Sequence, residues 1–156
     1  MLARAAVMSP DGRYRYALHR TWAPERSTMM WVLANPSSAD AAVDDPTLRR
    51  CVRFAHDHGC GGVAVVNLWA WRATRPVDLA GVADPVGPDN DGWIALLGRQ
   101  VDGPVVLGWG VQRARSRVAS VLELLVDRPK HCLGVTRDGH PRHPLYVRAE
   151  TRLRPW

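Results

Sequence analysis

The chain has 156 residues, of which 46% are hydrophobic and 23% are charged, as is usual for one globular domain. We expect a single domain over residues 1–156, in which residues 1–12 form a flexible N-terminal segment. No apolar run approaches the ~20 residues of a membrane-spanning helix, and the N-terminus lacks the apolar core of a secretory signal. The sequence therefore predicts a cytoplasmic protein with no membrane partner.

The chain is strongly basic, with a formal net charge of +6. Such a balance favours a polyanionic partner, either DNA or a nucleotide. All but one of the 21 basic residues are arginine, which binds phosphate in a bidentate manner. An arginine-rich composition is equally typical of a GC-rich genome, so both explanations stay open.

The cysteines and histidines give no sign of a metal or redox group. Cys51, Cys60 and Cys132 are odd in number and widely spaced, and they form no CxxC pair. This pattern argues against a disulfide scaffold, a four-cysteine metal site and an iron–sulfur site. The six histidines show no zinc spacing, so we expect no metal and no cofactor.

Residue alternation and apolar runs predict the first secondary-structure elements. Residues 13–20 alternate and predict an edge strand or hairpin arm. Residues 28–34 form a continuous apolar run, typical of a strand covered on both faces. A loop rich in Pro, Ser and Asp follows at 35–46. Asp45 then caps a helix that ends near Gly59.

Strand and helix patterns alternate through the rest of the chain. Strands are predicted at 62–68, 104–110 and 131–136. Helices are predicted at about 90–101 and around 118–125. A long loop at 69–88 and a loop-rich tail at 137–156 complete the chain.

This alternation predicts an α/β protein, a three-layer α/β/α domain with a central four-stranded parallel sheet and an N-terminal edge strand or hairpin. Ligands of such sheets bind outside the carboxyl ends of the strands. Asn35, Asn67 and the segment 108–110 stand at the ends of predicted strands, and the segment 140–146 follows the last of them. We expect them to meet at one rim and form a site.

Three polar residues at this rim have both a structural and a functional interpretation. Asn35 is expected either to brace its loop or to serve the reaction. Asn67 lies in a buried strand, where an unpaired amide costs ~1–3 kcal/mol, so it needs loop backbone or a ligand as its partner. His143 is either an exposed loop histidine or a neutral donor to an oxygen that gains negative charge.

Aromatic residues flank the same strand ends. Trp69, Trp71, Trp109 and Tyr146 would each contribute ~1–3 kcal/mol per base if they stack on nucleobases. Rings beside a sheet also belong to the core, so both roles stay open.

The loop after the first parallel strand is acidic. Asp45 is explained as the helix cap, whereas Asp40 and Asp44 stay open as a general base or metal ligand. Ser37 lies in no GxSxG motif, which argues against a serine hydrolase.

Long specific strings identify the chain as a member of a known family from about residue 13 to its end. "NPSSAD…DDPT" and "DGHPRHPLY" resemble an uncharacterised bacterial and phage family, domain of unknown function 1643. The resemblance carries no activity with it.

A more distant resemblance does imply an activity. "NP" after the first parallel strand, Asn after the second, "WG" after the third and "HP" after the fourth resemble the uracil-DNA glycosylase superfamily, which has a four-stranded parallel sheet in an α/β/α fold. It implies that Asn35 positions the attacking water, that His143 supports the leaving base and that Leu145 fills the gap in the duplex. The residues expected to touch the base are Asn67, Trp69, Pro36 and Ser37.

The chain also departs from the glycosylase pattern. Asn35 replaces the carboxylate of the most active members, and "HPLY" replaces the usual "HPSP". Asp40 is therefore kept as a third catalytic candidate beside Asn35 and His143. The start of the first helix has no familiar counterpart and could bind phosphate. The expected nucleic-acid backbone contacts are Thr47, Arg49, Arg50, Arg142, Leu145 and Tyr146.

The predicted function is hydrolysis of an N-glycosidic bond, by a monomeric DNA glycosylase acting on uracil or another deaminated or modified base. Breaking this bond gives an oxocarbenium-like sugar and an anionic base, which suits amide and imidazole donors. Two alternatives stay open: an enzyme of free nucleosides or modified nucleotides, and a non-catalytic nucleic-acid-binding protein.

Overall fold

Seven strands and three α-helices make up the part of the chain that the computed structural model describes, residues 2–156. The N-terminal half contains β1 (Ala3–Met8), β2 (Arg15–Thr21), β3 (Thr28–Leu33), α1 (Pro46–Asp57) and β4 (Gly62–Asn67). The C-terminal half contains α2 (Asn90–Gln100), β5 (Val105–Leu107), α3 (Arg115–Leu124), β6 (Lys130–Cys132) and β7 (Arg154–Pro155). Short 3-10 helices lie at Pro76–Leu79 and Pro144–Tyr146.

Helix α1 begins where its capping residues predict. The Asp45 carboxylate accepts the Leu48 N–H at 2.8 Å, and Pro46 occupies the first turn, so orphan donors of that turn are satisfied. Leu48, Cys51 and Phe54 are buried against the sheet, as their helical spacing requires.

The seven strands form one mixed sheet in the order β1-β2-β4-β3-β5-β6-β7. β4, β3, β5 and β6 run parallel to their neighbours in this series. β1 and β2 add an antiparallel hairpin at one side, and β7 pairs antiparallel with β6 at the other. The chain therefore moves from β3 outward to β4 and then returns past β3 to β5.

Helices cover both faces of this sheet. Trp31 and Val65 point to the face that α1 covers through Phe54. Met30, Val32 and Val66 point to the other face, beside Ile94 of α2 and Val121 of α3. The continuous apolar runs of β3 and β4 are thus buried on both sides, which explains why they lack alternation.

The predicted α/β class is confirmed, but the sheet is mixed and has seven strands, because both ends of the chain add strands that were not expected. Residues 3–8, expected within a flexible segment, form β1 and pair with β2. Residues 154–155, expected in a loop-rich tail, form β7 against β6. Both strands are largely exposed, so backbone pairing holds them and hydrophobic periodicity cannot reveal them.

Candidate functional site

A cavity of about 870 Å³ opens at the carboxyl ends of the parallel strands. It lies between β3, whose connection runs to β4 on one side, and β5, whose connection runs to β6 on the other side. Such a reversal leaves a crevice at the ends of the two central strands, where ligands of α/β sheets bind. Ala34 and Asn35 follow β3, Trp109 and Gly110 follow β5, and all four line the cavity. Its volume lies within the ~300–1,000 Å³ of small-molecule sites.

The loop at 140–146 packs closely against the end of β5 because glycines stand on either side of Trp109 there. A Cβ on Gly108 would lie 3.2 Å from Cδ of Pro144. Gly110, with a φ of 71°, donates its N–H to the Pro141 carbonyl at 2.9 Å. These glycines allow the "HPRHP" segment to pack directly against the strand end.

Seven of the sequence-predicted site residues line the cavity together. They are Asn35, Ser37, Thr47, Trp69, Arg142, His143 and Tyr146. Pro36, Asp40, Asn67, Arg49, Arg50 and Leu145 lie outside the lining.

The Asn35 amide braces the loops around the cavity. Its Nδ2 donates to the Ala73 carbonyl at 2.9 Å and to the Pro36 carbonyl at 3.1 Å. The nitrogen of the Asn35 amide therefore has a structural role. Its Oδ1 is an acceptor that suits a water or a ligand donor. Pro36 is buried behind it, and its carbonyl also accepts the N–H of Ala73 at 3.0 Å.

Asn67 is buried, with 1% of its surface exposed, and contacts an arginine. Its Oδ1 accepts from Nη2 of Arg15 at 3.3 Å. Arg15 is 3% exposed and does line the cavity. Desolvation lowers the pKa of Arg15 well below its ordinary value, to about 10, although Asp45 opposes the shift, so the guanidinium is charged at neutral pH.

Sequence reasoning missed Arg15 because strand 13–20 was considered only for its alternation. Charged residues fall at both ends of that strand, and a charge is seldom fully buried without a partner. Arg15 lies on a buried face of β2, but the sequence does not show which face of this strand is buried.

His143 is half-buried on the cavity wall and caps the short helix Pro144–Tyr146. Its Nδ1 accepts the N–H of Leu145 at 3.2 Å. Burial lowers the pKa of His143 below its ordinary 6.5, although Asp45 opposes the shift, so the ring is neutral at pH 7. A neutral ring that accepts at Nδ1 carries its proton on Nε2, which makes His143 a neutral donor.

The rings at the strand ends divide between cavity and core. Trp69 is half-buried and Trp109 is 2% exposed, and both line the cavity. Trp71 instead packs edge-on against Tyr14, with ring centroids 5.3 Å apart. Tyr146 stands at the cavity mouth and is 81% exposed. The lining thus includes three aromatic rings, of which Trp69 and Tyr146 have accessible surface and Trp109 is largely covered.

The acidic loop serves mainly to hold the backbone. The Asp40 carboxylate accepts the N–H groups of Ala42 and Val43 at 2.8 Å each. These backbone hydrogen bonds lower its pKa. Asp44 pairs with Arg20 at 2.7 Å. Only the helix cap, Asp45, lines the cavity.

The basic residues near the first helix also have structural partners. Arg50 donates to the carbonyls of Pro144 and Val147, which ties α1 to the 3-10 helix beside the cavity. Arg49 donates to the Asp44 carbonyl at 2.8 Å. Arg142 is exposed and lines the cavity. Arg113 is a second exposed arginine of the lining, and unlike Arg142 it was not predicted from the sequence.

Residues 2–156 contain neither a metal-binding cluster nor a membrane-spanning helix. No group of three or more His, Cys, Asp and Glu side chains in this range is arranged to hold a metal ion. No helix in the same range combines the length and the apolar character needed to cross a bilayer.

Comparison with known proteins places the chain in one family. A family model described as protein of unknown function DUF1643 matches residues 15–145, and the chain belongs to that family. The match includes β2 with Arg15, the cavity loops and His143. No curated protein and no solved structure matches the chain.

Proposed function

We propose that the protein recognises a nucleobase in this cavity and hydrolyses an N-glycosidic bond, acting as a DNA glycosylase on uracil or another deaminated or modified base. The observation that carries the proposal is His143, a neutral imidazole with its proton on Nε2, on the wall of a cavity lined by two indole rings. An anionic leaving base needs such a donor and an apolar place to stack.

Each part of the reaction has a residue of suitable chemistry. His143 would donate to the base oxygen that gains negative charge as the glycosidic bond breaks. Asn35, whose nitrogen is engaged by backbone carbonyls, would hold the attacking water through Oδ1. Trp69 would stack on the base. The amide predicted to read the base, Asn67, would act through Arg15, which it orients.

The surface around the mouth supports a polymeric substrate. Arg113 and Arg142 line the mouth, and Leu145 and Tyr146 are 42% and 81% exposed on the adjacent 3-10 helix. An exposed apolar side chain beside a base pocket could fill the gap left by a flipped base. The four parallel strands, with functional residues after each, would then be the counterpart of the glycosylase sheet.

A panel of oligonucleotides tests the proposal. Single- and double-stranded DNA carrying uracil, hypoxanthine, xanthine or a modified pyrimidine is incubated with the protein and assayed for abasic sites. We expect release of one base class, reduced about 10²-fold or more in His143→Ala. His58→Gln is the matched control, since this histidine lies at the opposite end of α1 from the cavity.

Salt dependence separates the remaining possibilities. Turnover of DNA should weaken steeply as salt rises, because phosphate contacts release counterions, whereas hydrolysis of a free nucleoside should change little. If base is released from free nucleosides and not from DNA, the substrate is a nucleoside. Binding of DNA with no base release from any substrate would overturn the hydrolase proposal and leave a non-catalytic binder.

A further inference from the structure

Arg15 is a buried cation that forms no ion pair, although Asp45 favours its charge from a longer distance. Its guanidinium donates to the Ala39 carbonyl at 2.7 Å and to Oδ1 of Asn67 at 3.3 Å, both of them neutral acceptors. Within residues 2–156 it forms no ion pair with a carboxylate. Buried charges in proteins are normally paired because their desolvation is unfavourable. A lone buried guanidinium on a cavity wall therefore calls for an explanation.

Two buried donors at this place lack an acceptor. Nε of Arg15 and Nδ2 of Asn67 have no hydrogen-bond partner among the described residues. A guanidinium has only donors, so the Asn67 oxygen must face Arg15 and its NH₂ group must face away. The two unpaired groups are thus both donors. An unsatisfied buried donor is unfavourable, and Arg15 is the member of the pair that lines the cavity, so an acceptor for its guanidinium is expected from a molecule that enters there.

The surroundings of Arg15 strengthen its attraction for an anion. Leu18, Leu33 and Val65 are buried residues of the same cavity wall, and an apolar wall screens charge poorly. Asp45 is the acidic residue of the lining, and its carboxylate accepts the Leu48 N–H. The other arginines of the lining, Arg113 and Arg142, are exposed, so Arg15 is the buried arginine among the described lining residues.

We infer that Arg15 is the binding residue for an anionic oxygen group, a carboxylate or a phosphate, carried by the nucleobase-containing ligand. The inference rests on the proposed function for the nature of the ligand, and on the Arg15–Asn67 geometry for its charge. Guanidinium groups bind both oxyanions through parallel N–H donors. The substrate is accordingly a nucleotide, or a base that bears a carboxylate, in preference to a neutral base.

Calorimetric titration of the wild-type protein with matched probes tests this inference. The pairs are uridine monophosphate with uridine, adenosine monophosphate with adenosine, and orotate with uracil. Preference for the monophosphates would identify phosphate as the anion, and preference for orotate would identify a carboxylate on the base. We expect the anionic member of at least one pair to bind about tenfold or more tightly than its neutral match.

Two variants locate that preference. Arg15→Met is expected to abolish it while leaving the weak binding of the neutral probe. Arg20→Met is the matched control, because Arg20 is buried in the same strand but paired with Asp44, and it should keep the preference. Should Arg15→Met fail to fold, Arg15→Lys provides the second test. It keeps the charge but loses the fork, and we expect a reduced preference.

The outcomes separate this inference from the proposed hydrolysis. Equal binding of both members of every pair, or binding of no probe, overturns the inference even if abasic sites form. An unchanged preference in a folded Arg15→Met or Arg15→Lys protein overturns it as well. A preference that depends on Arg15, with no base release from any oligonucleotide, supports the inference and removes the hydrolase.

Discussion

Strand β2 contains two buried arginines with opposite surroundings. Arg20 is 1% exposed, and its guanidinium meets the Asp44 carboxylate through Nε at 2.9 Å and Nη2 at 2.7 Å. Arg15 is 3% exposed and meets a carbonyl and an amide oxygen. Arg20 lies outside the cavity lining, and Arg15 belongs to it.

The contrast separates a structural charge from a functional one. Arg20 and its carboxylate fasten the acidic loop to the sheet, so its charge is compensated within the chain. Arg15 forms no ion pair, and Asp45 compensates its charge only from a longer distance, so burial of this charge lowers stability unless a ligand supplies a counter-charge. Local disagreement with ordinary packing rules is expected at functional sites.

The largest effect is expected at the compensated arginine. Arg20→Met removes hydrogen bonds to Asp44 and to the carbonyls of His19 and Asp40. It leaves a part-buried carboxylate without its main partner, which should lower the free energy of unfolding by about 3 kcal/mol. Urea unfolding followed by circular dichroism measures this change. A loss below that of Arg15→Met would erase the distinction between the two arginines.

A much smaller effect on stability is expected at the uncompensated arginine. Arg15→Met unpairs the Ala39 carbonyl and the Asn67 oxygen, but it also removes an unpaired buried charge. Because these contributions oppose each other, the free energy of unfolding should change by less than about 1 kcal/mol in either direction. The same urea experiment applies. A loss as large as that of Arg20→Met would mean that Arg15 is structural.

The smallest effect concerns two half-buried histidines. Unlike Arg15, they avoid a buried charge because they can release a proton. Burial lowers the pKa of His19 and of His143 below the ordinary 6.5. Near and below that pH the unfolded chain binds more protons than the folded protein, so stability must fall as the solution is acidified. Unfolding experiments between about pH 7.5 and pH 5 should show this loss.

A variant isolates the histidine at the cavity. His143→Gln cannot titrate at this position, so it should flatten the pH dependence relative to the wild-type protein. If the free energy of unfolding stays constant or rises on acidification, burial does not lower the pKa of these two rings.

The sequence predicted the elements with strong local signals. The apolar runs of β3 and β4 and the Asp45 cap of α1 identify themselves, because burial on both faces and capping leave marks within a few residues. Strand ends that carry Asn35, Trp69 and His143 could be placed at one rim, since parallel strands share a carboxyl edge.

Features that depend on partners distant in sequence could not be predicted. β1 and β7 form through pairing with other strands and have little hydrophobic pattern of their own. The position of Arg15 depends on the register of β2 against its neighbours, and Arg15 rather than its hydrogen-bond partner Asn67 lines the cavity. One residue of register would exchange the faces of the whole strand.

Arginine side-chain NMR tests the central claim most directly. The ¹H–¹⁵N signals of the arginine Nε–H groups are recorded during titration with uridine monophosphate and orotate, and Arg15→Lys and Arg20→Lys assign the two buried signals. We predict that an anionic probe shifts the Arg15 Nε–H signal and leaves the Arg20 signal in place, with no such shift from uridine or uracil. An Arg15 signal that stays fixed while either anion binds would contradict the account.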